Sequence, residues 1–230
     1  MSQTKQKHVV ILSGAGISAE SGIETFRASA GLWANHPIED VATPEGWQRN
    51  PALVLDFYNQ RRRQLSTVEP NAGHQALAQL ESTHRVTVIT QNVDNLHERA
   101  GSTEVVHLHG ELDIARSTAD DSLRYPLKGK DIQLGDLCER GSQLRPHVVW
   151  FGESVPEIER AEAIVKTADI LIVVGTSLLV YPAAGLIRLT RKGTRKFLIN
   201  PELPDPSLQK QFTCIPEPAG SALPELIKHL

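Results

Sequence analysis

Short apolar runs recur along the chain, and each stops at a glycine or a polar turn. His8-Val9-Val10-Ile11-Leu12 leads into Ser13-Gly14-Ala15-Gly16, and Val86-Thr87-Val88-Ile89-Thr90 into Gln91-Asn92. Val105-Val106-His107-Leu108 leads into His109-Gly110, Ile170-Leu171-Ile172-Val173-Val174 into Gly175-Thr176-Ser177, and Lys196-Phe197-Leu198-Ile199 into Asn200-Pro201. Most of their positions are apolar, as in strands buried on both faces of a parallel sheet. Between them, residues 51–65, 74–80, 158–167, 182–189 and 221–230 have helical composition and spacing. Strands alternating with helices predict an α/β fold, doubly wound on a mostly parallel, Rossmann-like sheet.

Two regions interrupt the alternation. Residues 28–63 read as helix and loop; residues 113–146 are polar, poor in β-branched side chains and without a clear period. Both are expected to leave the main sheet and pack together as a small lobe, with a cleft between lobe and sheet. The expected layout is one domain, 1–230. Its large lobe takes about 1–27, 68–112 and 147–230, and the small lobe is built from insertions at about 28–67 and 113–146.

Composition narrows the class. The chain has 230 residues and a net charge of −3, which argues against a general nucleic-acid binder, since that needs a basic face. The polar N-terminus lacks the apolar core of a signal peptide, and no stretch approaches the ~18 apolar residues of a membrane span. Cys138 and Cys214 are read as free thiols in a reducing compartment, so a cytoplasmic protein is expected. Nothing in the sequence fixes an oligomeric state.

Gly14-Ala15-Gly16-Ile17-Ser18-Ala19 fits G-x-G-x-x-G/A after the first strand. Such glycines let backbone N–H groups approach a pyrophosphate at the start of a helix, although tight strand–helix turns use glycine for steric reasons too. The acidic residue that should hold a ribose about 20 residues on is not at a second strand end. Glu39 and Asp40 fall in the loop-like region, which turns the reading away from hydride transfer.

The turn extends through Glu20-Ser21-Gly22-Ile23 to Thr25-Phe26-Arg27. In order follow Pro70-Asn71-Ala72-Gly73-His74, Thr90-Gln91-Asn92-Val93-Asp94-Asn95-Leu96-His97, Leu108-His109-Gly110, Arg145 through Glu153, Gly175-Thr176-Ser177-Leu178 and Ile199-Asn200. Over nearly its whole length the chain resembles the sirtuins, NAD-dependent protein-lysine deacylases. The resemblance implies NAD as a consumed co-substrate and acyl-lysine proteins as substrates, with nicotinamide, free lysine and O-acyl-ADP-ribose as products. It also implies His109 as the base that activates a ribose hydroxyl, a role suited to a side chain titrating near neutrality. Asn92 and Asp94 match residues at the nicotinamide and its ribose; helix capping is the alternative for this pair. Gly14, Ala15, Gly16, Ile17, Glu20, Thr25, Phe26, Arg27, Gln91, Val93, Gly175, Thr176, Ser177, Asn200 and Ala219 match further cofactor positions. Val149 and Phe151 match one wall of the acyl-peptide groove.

Tyr58 and Arg61, three apart, share a helix face. They resemble the Tyr-x-x-Arg of sirtuins that prefer succinyl, malonyl and glutaryl groups, and Ala42 matches a small residue that widens their pocket. Arginine grips carboxylates bidentately; a solvated basic face through Arg63 is the alternative. The chain departs from the family at its structural zinc. Between Gly110 and Arg145 there is only Cys138, where most members carry two cysteine pairs. No zinc is expected; a network of Arg116, Asp120, Asp121, Arg124, Asp136, Glu139 and Arg140 is expected to hold the small lobe instead. His107 and His109 alternate on a strand but lack further ligands nearby, so no metal is expected there either. Two other readings stay open: an NAD glycohydrolase or ADP-ribosyltransferase, and a non-enzymatic NAD or ADP-ribose sensor.

Overall fold

The computed structural model describes residues 6–24, 32–33 and 36–230. Strand β1 (His8–Ser13) ends in a seven-residue 3₁₀ helix, Ala15–Ser21, closed by Gly22. Strands β2 (Leu32–Trp33) and β3 (His36–Pro37) form a small ribbon before helices α1 (Ile38–Val41), α2 (Pro44–Arg49), α3 (Pro51–Leu65) and α4 (Ala72–Leu80). Then come β4 (Arg85–Thr90), α5 (Leu96–Ala100), β5 (Val105–His107), β6 (Gly110–Ser117), β7 (Arg124–Pro126) and β8 (Leu144–Val148). The chain finishes with α6 (Ile158–Val165), β9 (Ile170–Val174), a 3₁₀ turn at Ala183–Arg188, β10 (Arg195–Ile199), α7 (Pro206–Gln209), β11 (Thr213–Ile215), α8 (Ala219–Leu226) and a last 3₁₀ turn.

Six strands in the order β11-β10-β9-β1-β4-β5 make one parallel sheet. Alternate residues of its strands feed two apolar layers. Val9, Ile11, Val86, Val88, Ile172 and Ile199 pack against α4 and α8 on one face, and Val10, Leu12, Ile89, Leu171, Val173 and Leu198 against α6 and the Ala183–Arg188 turn on the other. Burial on both faces explains the unbroken apolar runs. The strand order reverses beside β1, so the turns after β1 and β9 open at the carboxyl edge where such sheets bind ligands.

The polar region expected to lack a period is an antiparallel sheet, β7-β6-β8. A register shift between Glu111 and Ala115 breaks the alternation on β6, and that is why no period of two showed in the sequence. Helix α3 joins this sheet to the rest. Asn50 caps it by accepting from Leu53 N at 3.1 Å, and Pro51 opens it. Three consecutive arginines leave it in three directions, about 100° apart. Arg61 lines the cleft. Arg62 is buried and donates from Nε to Leu112 O at 2.8 Å and from Nη1 to Asn59 Oδ1 at 2.7 Å. Arg63 pairs with Asp131 at the surface. The solvated basic face is therefore not what forms.

The charge network expected in the small lobe forms in part. Arg116 meets Asp121 at 3.0 Å and Arg140 meets Asp120 at 2.7 Å. A half-buried carboxylate outside the expected set, Glu153, ties it together, accepting from Arg145 Nη1 at 2.7 Å, Arg116 Nη2 at 3.0 Å and Trp150 N at 2.8 Å. Cys138 donates its thiol hydrogen to Ser117 Oγ at 3.4 Å, while Cys214 lies on β11 in the large sheet. Among the described residues no group of three or more His, Cys, Asp and Glu side chains is placed to hold a metal ion.

Candidate active site

A cleft of about 730 Å³ runs between the parallel sheet and α3 with its neighbours. Its floor is backbone. Gly14 N donates to Val174 O at 3.0 Å and Gly16 N to Gly175 O at 2.8 Å, so the turns after β1 and β9 lie directly on one another. A Cβ on Gly16 would come within 2.7 Å of Gly175 Cα; one on Gly175, whose φ is +64°, would come within 2.2 Å of Ile17 N. The glycines expected to approach a pyrophosphate are thus required first by each other. The segment they open is 3₁₀ rather than α-helical.

Beside the floor, Ser18 Oγ donates to Asp94 Oδ2 at 3.0 Å and accepts from Asn92 Nδ2 at 3.1 Å. Burial raises the pKa of Asp94, while bonds from Leu96 N and Ser18 pull the other way. Capping does not account for Asn92: helix α5 begins after Asn95, and the Asn92 amide is spent on Ser18. Ser18 was not singled out from the sequence, although it stood inside the glycine motif; only the fold brings it to Asn92 and Asp94.

His109 is half-buried on the cleft wall, with Nδ1 2.9 Å from Gln91 O. A carbonyl only accepts, so Nδ1 carries the hydrogen and the neutral ring keeps its lone pair on Nε2. Burial lowers the His109 pKa and so favours that neutral form, and the Gln91 bond partly opposes it. Gln91 Nε2 in turn donates to Thr176 Oγ1 at 3.1 Å, tying the β4 edge to the β9 turn.

The opposite wall carries Ala42, Tyr58, Arg61, Val149, Trp150 and Phe151. Tyr58 is fully buried and accepts from Trp150 Nε1 at 3.0 Å; burial raises its pKa, keeping it a neutral phenol with a hydrogen to donate. Arg61 stacks over the Phe57 ring at 3.9 Å and donates from Nη1 to Phe57 O at 2.8 Å, its one hydrogen bond within the described structure. Burial lowers its pKa, with Glu24 the first opposing charge. Ala42 is buried and its carbonyl accepts from Phe151 N at 2.9 Å.

The cleft wall therefore gathers Gly14, Ala15, Gly16, Gln91, Asn92, Val93, Asp94, His109, Gly175, Thr176, Ser177 and Asn200 together with the acyl-side residues. Three expected cofactor residues are not on it. Ile17 and Ala219 belong to the apolar core, and the Glu20 carboxylate accepts from Gly220 N at 2.7 Å, which fastens α8 to the glycine turn. Thr25, Phe26 and Arg27 lie outside the described residues. The cleft suits a dinucleotide: its volume is within the range of cofactor sites, with backbone at one end and hydroxyl, amide and carboxylate groups at the other.

Comparison with known proteins agrees with this geometry. Residues 14–182 match the Sir2 family. The chain is 54% identical over 224 residues to an NAD-dependent protein deacylase of Helicobacter pylori, covering 97% of each. It is 52% identical over 225 residues to one of Bacteroides thetaiotaomicron, covering 96% of each. Among solved structures, a Sir2 homologue in complex with NAD superposes with a TM-score of 0.87 at 40% identity, over 98% of this chain and 90% of that one. A Sir2 mutant with deacetylated p53 peptide and 3′-O-acetyl ADP ribose superposes at 0.80 and 28% identity, over 97% and 94%.

Proposed function

The chain belongs to the Sir2 family, and from that premise we propose that it is an NAD-dependent protein-lysine deacylase acting on acetyl and on acidic acyl groups such as succinyl and malonyl. The observation that carries the deacylase reading is His109, a neutral histidine with Nε2 available, in the same cleft as Ser18, Asn92 and Asp94. A protein that only senses the dinucleotide has no need of such a base. NAD supplies the ribose carbon that takes the acyl oxygen and the nicotinamide that departs. Asn92 and Asp94, held by Ser18, are the groups for the nicotinamide end; the glycine turns, Ser177 and Asn200 are those for the rest of the dinucleotide. His109 Nε2 takes a proton from a ribose hydroxyl and returns it later, a contribution of about 10²–10⁴-fold.

For the acyl group, Arg61 and Tyr58 support an acidic preference. One edge of the guanidinium is fixed by Phe57 and leaves donors for a carboxylate, and the neutral phenol adds another. The missing cysteines support a small lobe held without zinc, by the Glu153 centre and the Asn59 side chain, which pairs with both Ile132 N and Ile132 O at 3.0 and 2.9 Å.

The test is mass spectrometry of acetyl- and succinyl-lysyl peptides incubated with NAD. We expect equal yields of nicotinamide, deacylated peptide and O-acyl-ADP-ribose, all lost in His109→Ala. Nicotinamide with free ADP-ribose and intact acyl-peptide would make it a glycohydrolase, ADP-ribosylated peptide would make it a transferase, and binding without turnover would make it a sensor.

A further inference from the structure

Two histidines near the end of β5 hold successive carbonyls of the loop that carries Asn92 and Asp94. His109 takes Gln91 O at 2.9 Å and His107 takes Asn92 O at 3.0 Å. Their second nitrogens differ. Nε2 of His109 is left for the cleft, whereas Nε2 of His107 lies 2.7 Å from Glu98 Oε1 on α5. A carbonyl and a carboxylate both accept, so His107 makes both bonds only with a hydrogen on each nitrogen. Its side chain is 9% exposed, so water does little to replace either bond.

We infer that His107 is a positioning residue whose doubly protonated ring holds the Gln91–Asn95 loop in its cofactor-binding form, and that losing one ring proton releases the loop. This rests on the assignment of Asn92 and Asp94 to the nicotinamide end. The surroundings favour the cation. Glu98 faces the ring from α5 and Glu111 acts on it from β6, while Asp94 and Asp113 line the same small cavity. His97, behind it on α5, is held neutral by burial, with the nearby His74 and His107 adding to that effect. Burial works to lower the His107 pKa, but the Glu98 bond and charge and the Asn92 carbonyl outweigh it, and the net shift is upward.

The two histidines then bound the active range from opposite sides. His109, with a lowered pKa, becomes a competent base as pH rises through its pKa; His107, with a raised pKa, loses its second hydrogen as pH rises through its own. The expected profile of kcat/KM for NAD falls on the alkaline side.

The test is that profile in the wild-type enzyme, Glu98→Gln and His107→Gln, with folding checked by circular dichroism and thermal melts. Glu98 is exposed, so Glu98→Gln keeps the fold. Removing its carboxylate should move the alkaline fall to lower pH by about one unit. His107→Gln keeps a donor for Asn92 O and does not titrate, so the alkaline fall should vanish. His107→Ala should raise KM for NAD about 10-fold or more. An alkaline limb that stays in place in Glu98→Gln, or persists in a folded His107→Gln, overturns the inference. So does a wild-type profile with no alkaline limb. A wild-type enzyme that fails to deacylate overturns the functional reading instead.

Discussion

The cleft floor at Gly14, Gly16 and Gly175 is backbone against backbone, whereas the wall at Tyr58 and Arg61 is side chain against side chain. On the floor a single added carbon would meet main-chain atoms at 2.2–2.8 Å, and nothing there can move aside. On the wall a long side chain rests on an aromatic ring and keeps donors for a ligand. The floor is fixed by the topology of the sheet and the wall by the sequence of one helix. Under the proposed function, the dinucleotide would rest on the rigid floor and the acyl group on the wall, so acyl choice could change without disturbing the floor.

Substitutions at the two places should differ accordingly. Gly175→Ala adds a Cβ at a positive φ against Ile17 N, and urea unfolding should show a loss of about 4 kcal/mol or more, with NAD binding lost alongside. If Gly175→Ala proved as stable as wild type, the floor would not be rigid. Next comes Glu153→Ala, which leaves Arg145 and Arg116 without their shared carboxylate. It also frees Trp150, whose ring nitrogen holds Tyr58. Its two arginines are buried, so removing their carboxylate costs up to about 3–5 kcal/mol, and the melt should fall while the glycine floor survives in what remains folded. The smallest effect is expected for Cys138→Ser. With no zinc to hold, its stability should stay within about 1 kcal/mol of wild type, and metal analysis of both proteins should find no stoichiometric zinc. Stoichiometric zinc lost in the variant would contradict the expected absence.

The same contrast explains what could be read in the sequence. Five of the six parallel strands showed as apolar runs because burial on both faces leaves no polar alternation to blur them; β11, Thr213–Ile215, lies at the sheet edge, is not buried, and has no apolar run to show. The antiparallel sheet escaped because the irregularity between Glu111 and Ala115 breaks its period. Tyr58 and Arg61 were legible as a helical pair, but the divergence of Arg61, Arg62 and Arg63 was not, since it depends on what α3 packs against. Ser18 and His107 were legible as residues and not as partners. Ser18 meets Asn92 and Asp94 from 74 and 76 residues away, and His107 meets Asn92 and Glu98 from 15 and 9 residues away, on separate elements that only the fold brings together.

The most direct test of the account is the ratio of desuccinylation to deacetylation, each as kcat/KM on one peptide sequence, in wild type and Arg61→Met. Loss of charge-assisted bonds to the acyl carboxylate predicts a ratio lower by about 10- to 100-fold, with deacetylation unchanged. Equal loss of both activities, or an unchanged ratio, would contradict it.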